Sequence, residues 1–182
     1  VCTLKYSIIK AKMFQVLLDL LFPRRCLGCK VSGQYICSNC RAHLLPSPPL
    51  ETAEAVACFN YEDKIIKRAI WKLKYSGLSS LAQELAALMS ENLHEDLVEL
   101  TTFAGKEKIL VLPIPINKKR ERQRGYNQAA LLAKALAKTL PEILEYRGDI
   151  LLKVKNTLPQ VAVQSRAARL TNLRDAFAKA TE

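Results

Sequence analysis

No apolar run in this 182-residue sequence comes near the roughly 20 residues needed to cross a bilayer. The longest are Ile109–Ile116 and the Asp-interrupted Val16–Phe22, so membrane insertion is not expected. A small-residue cleavage site is also missing: Phe22-Pro-Arg-Arg25 stands where a signal peptide would end, which argues against export. There is no internal repeat and no low-complexity tract. Apolar residues at 49% and charged residues at 25% exclude wholesale disorder. Acidic side chains are scarce, 17 against 28 Lys plus Arg, for a net charge of +11. That excess is uneven. Residues 1–60 carry 7 positive and 3 negative groups, 61–104 carry 5 and 7, and 105–182 carry 16 and 7. The last third is therefore the part expected to attract phosphate, and the plainer alternative is a basic surface that only confers solubility.

The cysteines supply the clearest pattern. Four of the six read Cys26-Leu-Gly-Cys29 and Cys37-Ser-Asn-Cys40, seven residues apart. Two such knuckles suit tetrahedral zinc, since each turn offers two soft thiolates and four close the shell. A closed shell leaves no position for water, so the expected site is structural, with ligands Cys26, Cys29, Cys37 and Cys40. Gly28, and after it Asn39, would tolerate the left-handed backbone that such turns often need. Two disulfides or a redox dithiol are the alternatives; nothing else favours the oxidising compartment that disulfides require. The expected localisation is cytoplasmic. Cys2 and Cys58 fall outside the pattern and read as a plain thiol and a small core residue.

Leu45-Pro-Ser-Pro-Pro-Leu-Glu51 breaks regular structure and marks a domain boundary. Beyond it, Ala55–Tyr61 reads as a strand. Asp63 can cap a helix carrying Ile66, Ala69, Ile70 and Leu73 at helical spacing, and a second helix after Gly77 carries Leu81, Leu85, Leu88 and Met89. The run Ile109–Ile116 predicts a strand covered on both sides in a parallel sheet. A helix over about 127–140 carries Leu132, Ala135, Leu136 and Leu140 before Pro141, and Ile150–Val154 is a further strand. Alternating strands and helices argue for an α/β fold.

The segment 109–140 bears most on function. A loop, Asn117-Lys-Lys-Arg-Glu-Arg-Gln-Arg124, follows the apolar strand, and Gly125-Tyr-Asn-Gln128 opens the next helix. Ligands of open α/β sheets bind beyond the carboxyl ends of strands, and a helix N-terminus there favours anions. Five cations between positions 118 and 124 add to the field. Asn117, Lys118, Arg120, Arg124, Gly125, Asn127 and Gln128 are thus candidate phosphate-binding residues, with Asn127 either capping the helix or bonding a ligand. The plainer alternative is an exposed basic loop.

Four blocks resemble the ComF family, competence-associated proteins with a zinc ribbon ahead of a type I phosphoribosyltransferase-like body. They are Leu17–Cys26 leading into the knuckles; Phe59-Asn-Tyr61 through Leu73-Lys-Tyr75; Leu112-Pro-Ile-Pro115 with Arg120, Arg124-Gly-Tyr-Asn-Gln128 and Leu132-Ala133; and Thr157, Gln160, Arg169, Asn172 and Ala176-Phe177. The resemblance implies a parallel sheet with flanking helices that binds phosphoribosyl pyrophosphate with magnesium. The 116–125 loop would hold pyrophosphate, and Gln160, Arg169 and Asn172 would belong to a mobile cover. It also supports Met13 as the start. The expected layout is then 1–12 upstream read-through, 13–45 helix plus zinc ribbon, 46–54 proline-rich linker, and 55–182 an incomplete phosphoribosyltransferase-like domain.

One hallmark of that lineage is missing: two adjacent acidic residues followed by a Thr/Gly-rich turn, which hold the ribose 5-phosphate. The only adjacent acidic pairs are Glu62-Asp63 and Glu95-Asp96, both in helical contexts. The expectation is a C-terminally shortened chain that does not turn over phosphoribosyl pyrophosphate by itself, with no catalytic residue assigned. A phosphorylated sugar or nucleotide is the expected ligand. Single-stranded DNA or a competence helicase is the partner on the alternative reading, a zinc-ribbon nucleic-acid-binding or adaptor protein without catalysis. Tyr61, Trp71, Tyr75 and Tyr126 are then the candidates for stacking on bases.

Overall fold

The computed structural model describes residues 23–48, 55–105 and 107–180. Residues 1–22, with Cys2 and the Met13–Phe22 stretch, and positions 49–54 of the linker lie outside them. By internal contacts the chain forms two units, Val1–Ala69 and Ile70–Glu182, the division falling inside a helix.

In the first unit the chain turns back at an antiparallel bridge, Arg25 to Ser32, and then makes one helical turn, α1 (Ser38–Arg41). The strand expected over Ala55–Tyr61 reduces to a single bridge between Phe59 and Pro46; proline has no N–H with which to extend a ladder. Helix α2 (Lys64–Tyr75) begins at Asp63, whose Oδ1 accepts hydrogen bonds from the N–H groups of Ile65 (2.7 Å) and Ile66 (3.1 Å). Its other oxygen accepts from the Leu45 N–H at 3.1 Å. Burial opposes ionisation of this carboxyl, but three converging N–H groups outweigh it and hold Asp63 below the usual carboxylate range. The capping role read from the sequence is therefore present, and it also fastens the exit of the cysteine segment to the helix.

In the second unit, α3 (Leu81–Ala104) buries Leu81, Leu85 and Leu88 with Ala82 and Ala86, at the spacing of one helical face. Gly105, at φ 56°, ends it. Strand β1 (Ile109–Val111) leads into α4 (Lys118–Arg124), α5 (Gln128–Thr139) and β2 (Leu144–Tyr146). β1 and β2 pair in parallel, Ile109 opposite Leu144 and Val111 opposite Tyr146. This crossover unit packs its apolar side around Ala86, Leu136, Ala137 and Leu144, with Met89, Leu93, Ile109 and Val111 against them. β3 (Leu151–Lys153) pairs antiparallel with β4 (Phe177–Lys179), and α6 (Arg166–Leu173), capped by the Ser165 side chain, lies between them in sequence.

The described residues are thus mixed helix and strand in two two-stranded sheets, where one parallel sheet was expected. Pairing of β1 stops before Pro113 and Pro115, and its second face is open, with Leu110 48%, Leu112 38% and Ile114 59% exposed. The expected strand over 109–116 covered on both sides is accordingly shorter and covered on one. No helix among the described residues is long and apolar enough to cross a membrane.

Candidate functional site

The Sγ atoms of Cys26, Cys29, Cys37 and Cys40 all lie within 4.8 Å of one another. The first knuckle forms because the Cys26 N–H donates to the Val31 carbonyl (2.8 Å) and the Lys30 N–H to the Cys26 carbonyl (3.0 Å). The second has Cys37 at the N-cap of α1 and Cys40 within that turn. The left-handed positions are Lys30 (φ 71°) and Gly33 (φ 110°), not Gly28 or Asn39 as the sequence suggested. Gly28 is needed for another reason. A Cβ there would sit 2.6 Å from the Cys40 sulfur and 2.9 Å from Ile65 Cδ1, so only glycine lets the two knuckles close.

The sulfur atoms of Cys29 and Cys37 are 3.5 Å apart. A disulfide would need about 2.05 Å, whereas the edge of a tetrahedron with metal–sulfur bonds of ~2.3 Å is about 3.8 Å. The donor set fits a soft divalent ion, and the four cysteines can bind a metal such as zinc. Burial opposes ionisation of Cys26, but N–H groups of Cys37, Cys29 and Gly28 directed at its sulfur outweigh it and lower its pKa to about 6. Cys40 shares a proton with the Cys26 thiolate and is pushed up to about 12, burial adding to the effect. A bound cation would replace that shared proton.

The second feature is a cleft of about 710 Å³ at the carboxyl ends of both parallel strands. Pro113, Pro115 and Asn117 line it beyond β1, and Tyr146 and Gly148 beyond β2. Of the segment Asn117–Arg124, expected to be a loop, Lys118–Arg124 is helix α4 instead. The Asn117 side chain caps it by accepting from the Lys119 N–H at 2.8 Å, every residue inside it is a good helix former, and Gly125 at φ 81° stops it. Asn117 also donates to the Asn156 side chain, which lines the opposite wall.

Asn127, buried at 8% exposure, caps α5 by accepting from the Ala129 N–H (3.0 Å) and donates to the Ile114 carbonyl (3.0 Å). Its two hydrogen bonds fix the strand-to-helix connection, so of the two roles considered it performs the cap. Lys118, Lys119, Arg122, Lys134 and Lys153 face the cleft against one acid, Glu121. None of the five cations has an ion-pair partner among the described residues. Lys153 donates to Thr157 Oγ1 at 2.8 Å, and burial, followed by the nearby Arg120 charge, lowers its pKa.

The candidate phosphate residues do not all converge. Asn117, Lys118 and Asn127 line the cleft, whereas Arg120 and Arg124 line a different pocket with Lys74 and Tyr75. Gly125 ends α4, and the Oε1 of Gln128 is shielded without a hydrogen-bond partner among the described residues. In the segment expected to be mobile, Asn172 bonds both the N–H (3.1 Å) and the carbonyl (3.0 Å) of Leu158, and Arg169 Nε donates to the Val163 carbonyl at 3.0 Å. Both polar side-chain atoms of Gln160 are shielded and have no hydrogen-bond partner among the described residues. The sequence reading did not single out Lys119, Arg122, Lys134 or Lys153 as site residues; a lysine within the apolar strand Ile150–Val154 was the available signal for the last. Of the adjacent acidic pairs, Asp63 caps α2 and Glu95-Asp96 lies within α3. No protein-family model, curated protein or solved structure matches the chain.

Proposed function

We propose that this chain is a ComF-like protein, a zinc ribbon joined to a phosphoribosyltransferase-like unit, and that its cleft binds the pyrophosphate group of a phosphorylated sugar. The observation that carries this reading is the cationic cleft lying at the carboxyl ends of two parallel strands joined by a helical crossover, where α/β folds hold ligands. Lys118 and Lys119 supply charge from α4, and Lys134 and Lys153 supply it from the walls. In transferases of this type catalysis is mainly positioning and charge stabilisation as pyrophosphate leaves. Magnesium would accompany the sugar pyrophosphate. This chain contains no acidic pair leading into a Thr/Gly turn, so the reading is anion binding without turnover. Zinc on four thiolates is structural and suits a reducing cytoplasm.

Calorimetric titration with pyrophosphate and magnesium at fixed ionic strength tests it. Saturable binding is expected, weakened about tenfold or more by Lys118→Gln/Lys119→Gln, which removes two charge-assisted contacts. Equal binding by the double variant would overturn the cleft assignment.

A second reading is favoured by Trp71 and Tyr75, which are 57% and 58% exposed on α2 with ring centroids 5.7 Å apart. Exposed aromatics beside lysines are how sequence-tolerant single-strand binders hold bases. On this reading affinity for single-stranded DNA falls steeply with salt, and the double variant loses little of it.

A further inference from the structure

The geometry points to a second anion site, separate from the cleft: the pocket lined by Lys74, Tyr75, Arg120, Gln123 and Arg124 takes a phosphate group. This goes beyond the cleft reading and does not depend on it. The pocket measures about 350 Å³, and no carboxylate lines it. Lys74, Arg120 and Arg124 have no ion-pair partner among the described residues. Helix α4 therefore sorts its cations onto two faces, Lys118, Lys119 and Arg122 toward the cleft and Arg120 and Arg124 toward this pocket.

The walls are held in place. Tyr126 donates its hydroxyl hydrogen to the Leu73 carbonyl at 2.8 Å, tying the residue after α4's glycine stop to the last turns of α2. Burial pushes the Tyr126 phenol pKa up against the opposing pull of Arg124. Arg124 lies over the Tyr75 ring, 5.1 Å from its centroid, so its planar donor fork is oriented before any ligand arrives.

A plainer account exists for two of the three cations. Lys74 and Arg124 sit in the last turns of α2 and α4, where positive charge offsets the helix dipole. Arg120 does not fit it, since it lies in the first half of a seven-residue helix, where a cation gains nothing from the dipole. It also stands one turn from Arg124, a like-charge spacing that destabilises a helix, and its charge acts on Lys153. An anion between the guanidinium groups would relieve these repulsions, and paired arginines suit the several oxygens of a phosphate.

The single tryptophan of the chain, Trp71, adjoins Tyr75 and so reports on the pocket. Intact protein is titrated with inorganic phosphate and, in parallel, with adenosine monophosphate. Ionic strength is held with chloride, and Trp71 emission and heat are followed together. A saturable emission change is expected, with affinity about tenfold weaker or worse in Arg120→Gln/Arg124→Gln. Lys118→Gln/Lys119→Gln should leave that change within about twofold, since its charges face the cleft. Tighter binding of the nucleotide than of phosphate would identify a nucleotide as the source, and equal binding would identify free phosphate. Should the arginine variant melt early, Lys74→Gln replaces it and must weaken the response severalfold. The proposal is overturned if wild-type emission shows no saturable change, or if the cleft variant abolishes the change while the arginine and lysine variants keep it. A surviving Trp71 response with no binding in the cleft would instead count against the pyrophosphate reading alone.

Discussion

Between Pro23 and Pro48 the chain buries only Cys26, Leu27 and Ile36, whereas α3, α5, β1 and β2 surround a continuous apolar centre at Ala86, Leu136, Ala137 and Leu144. The first region has too little apolar surface to hold itself closed, and four sulfur atoms meet where its core would be. The second is held by burial and spends its polar residues at the strand ends. With a metal on those four sulfurs, one region would depend on a ligand and the other on packing, and perturbations should separate them.

Replacing a thiolate should have the greatest consequence. Structural zinc contributes about 10–16 kcal/mol of apparent binding energy in small modules, so Cys26→Ser should lose its metal equivalent and expose Arg24, Lys30 and Arg41 to trypsin. Far-UV circular dichroism should keep most of its helical signal, because α3 and α5 belong to the other unit. A variant that still binds one zinc per chain would show that three sulfurs suffice. Leu136→Ala should do the reverse, costing about 2–5 kcal/mol in denaturant unfolding of the α/β unit while zinc content stays at one equivalent. Asn127→Ala removes a helix cap and a bond to the Ile114 carbonyl. It should cost about 1–2 kcal/mol and, by loosening the strand-to-helix connection, weaken pyrophosphate binding as well.

Asp63 provides a gentler probe of the first unit. Its folded pKa is depressed, so its contribution is complete above the unfolded value of about 3.9 and is lost as pH falls through the lower folded value. Asp63→Asn lacks that dependence. The stability gap between wild type and variant, followed by urea unfolding, should therefore be constant above about pH 5 and narrow toward pH 3. A gap that widens on acidification would contradict the three-N–H geometry.

What the sequence made legible was whatever local chemistry determines. The Cys-x-x-Cys spacing named all four cysteines of the cluster, Asp63 announced the start of α2, and the apolar period of Leu81, Leu85 and Leu88 announced α3. What it concealed depends on distance and direction. Gly28 looked like a turn glycine, but its small size is required by the approach of the Cys40 sulfur from the second knuckle. Asn117–Arg124 looked like a loop because its residues are uniformly polar; an asparagine cap and a glycine stop make it a helix. Once it is helical, neighbouring cations part to opposite faces, and one basic cluster lines two separate pockets. Strand Leu144–Tyr146 escaped notice because three residues after a proline carry too short a pattern to read.

The central claim is that an anion sits where β1 and β2 end, and chemical-shift mapping tests it most directly. Amide resonances of the isotope-labelled chain would be followed as pyrophosphate and magnesium are added at constant ionic strength. The account predicts saturable shifts at Asn117, Lys118 and Lys119 and at Lys153 through Asn156, the two walls of the cleft. Small, non-saturating shifts spread over basic residues throughout the chain, with the cleft walls no different from the rest, would contradict it.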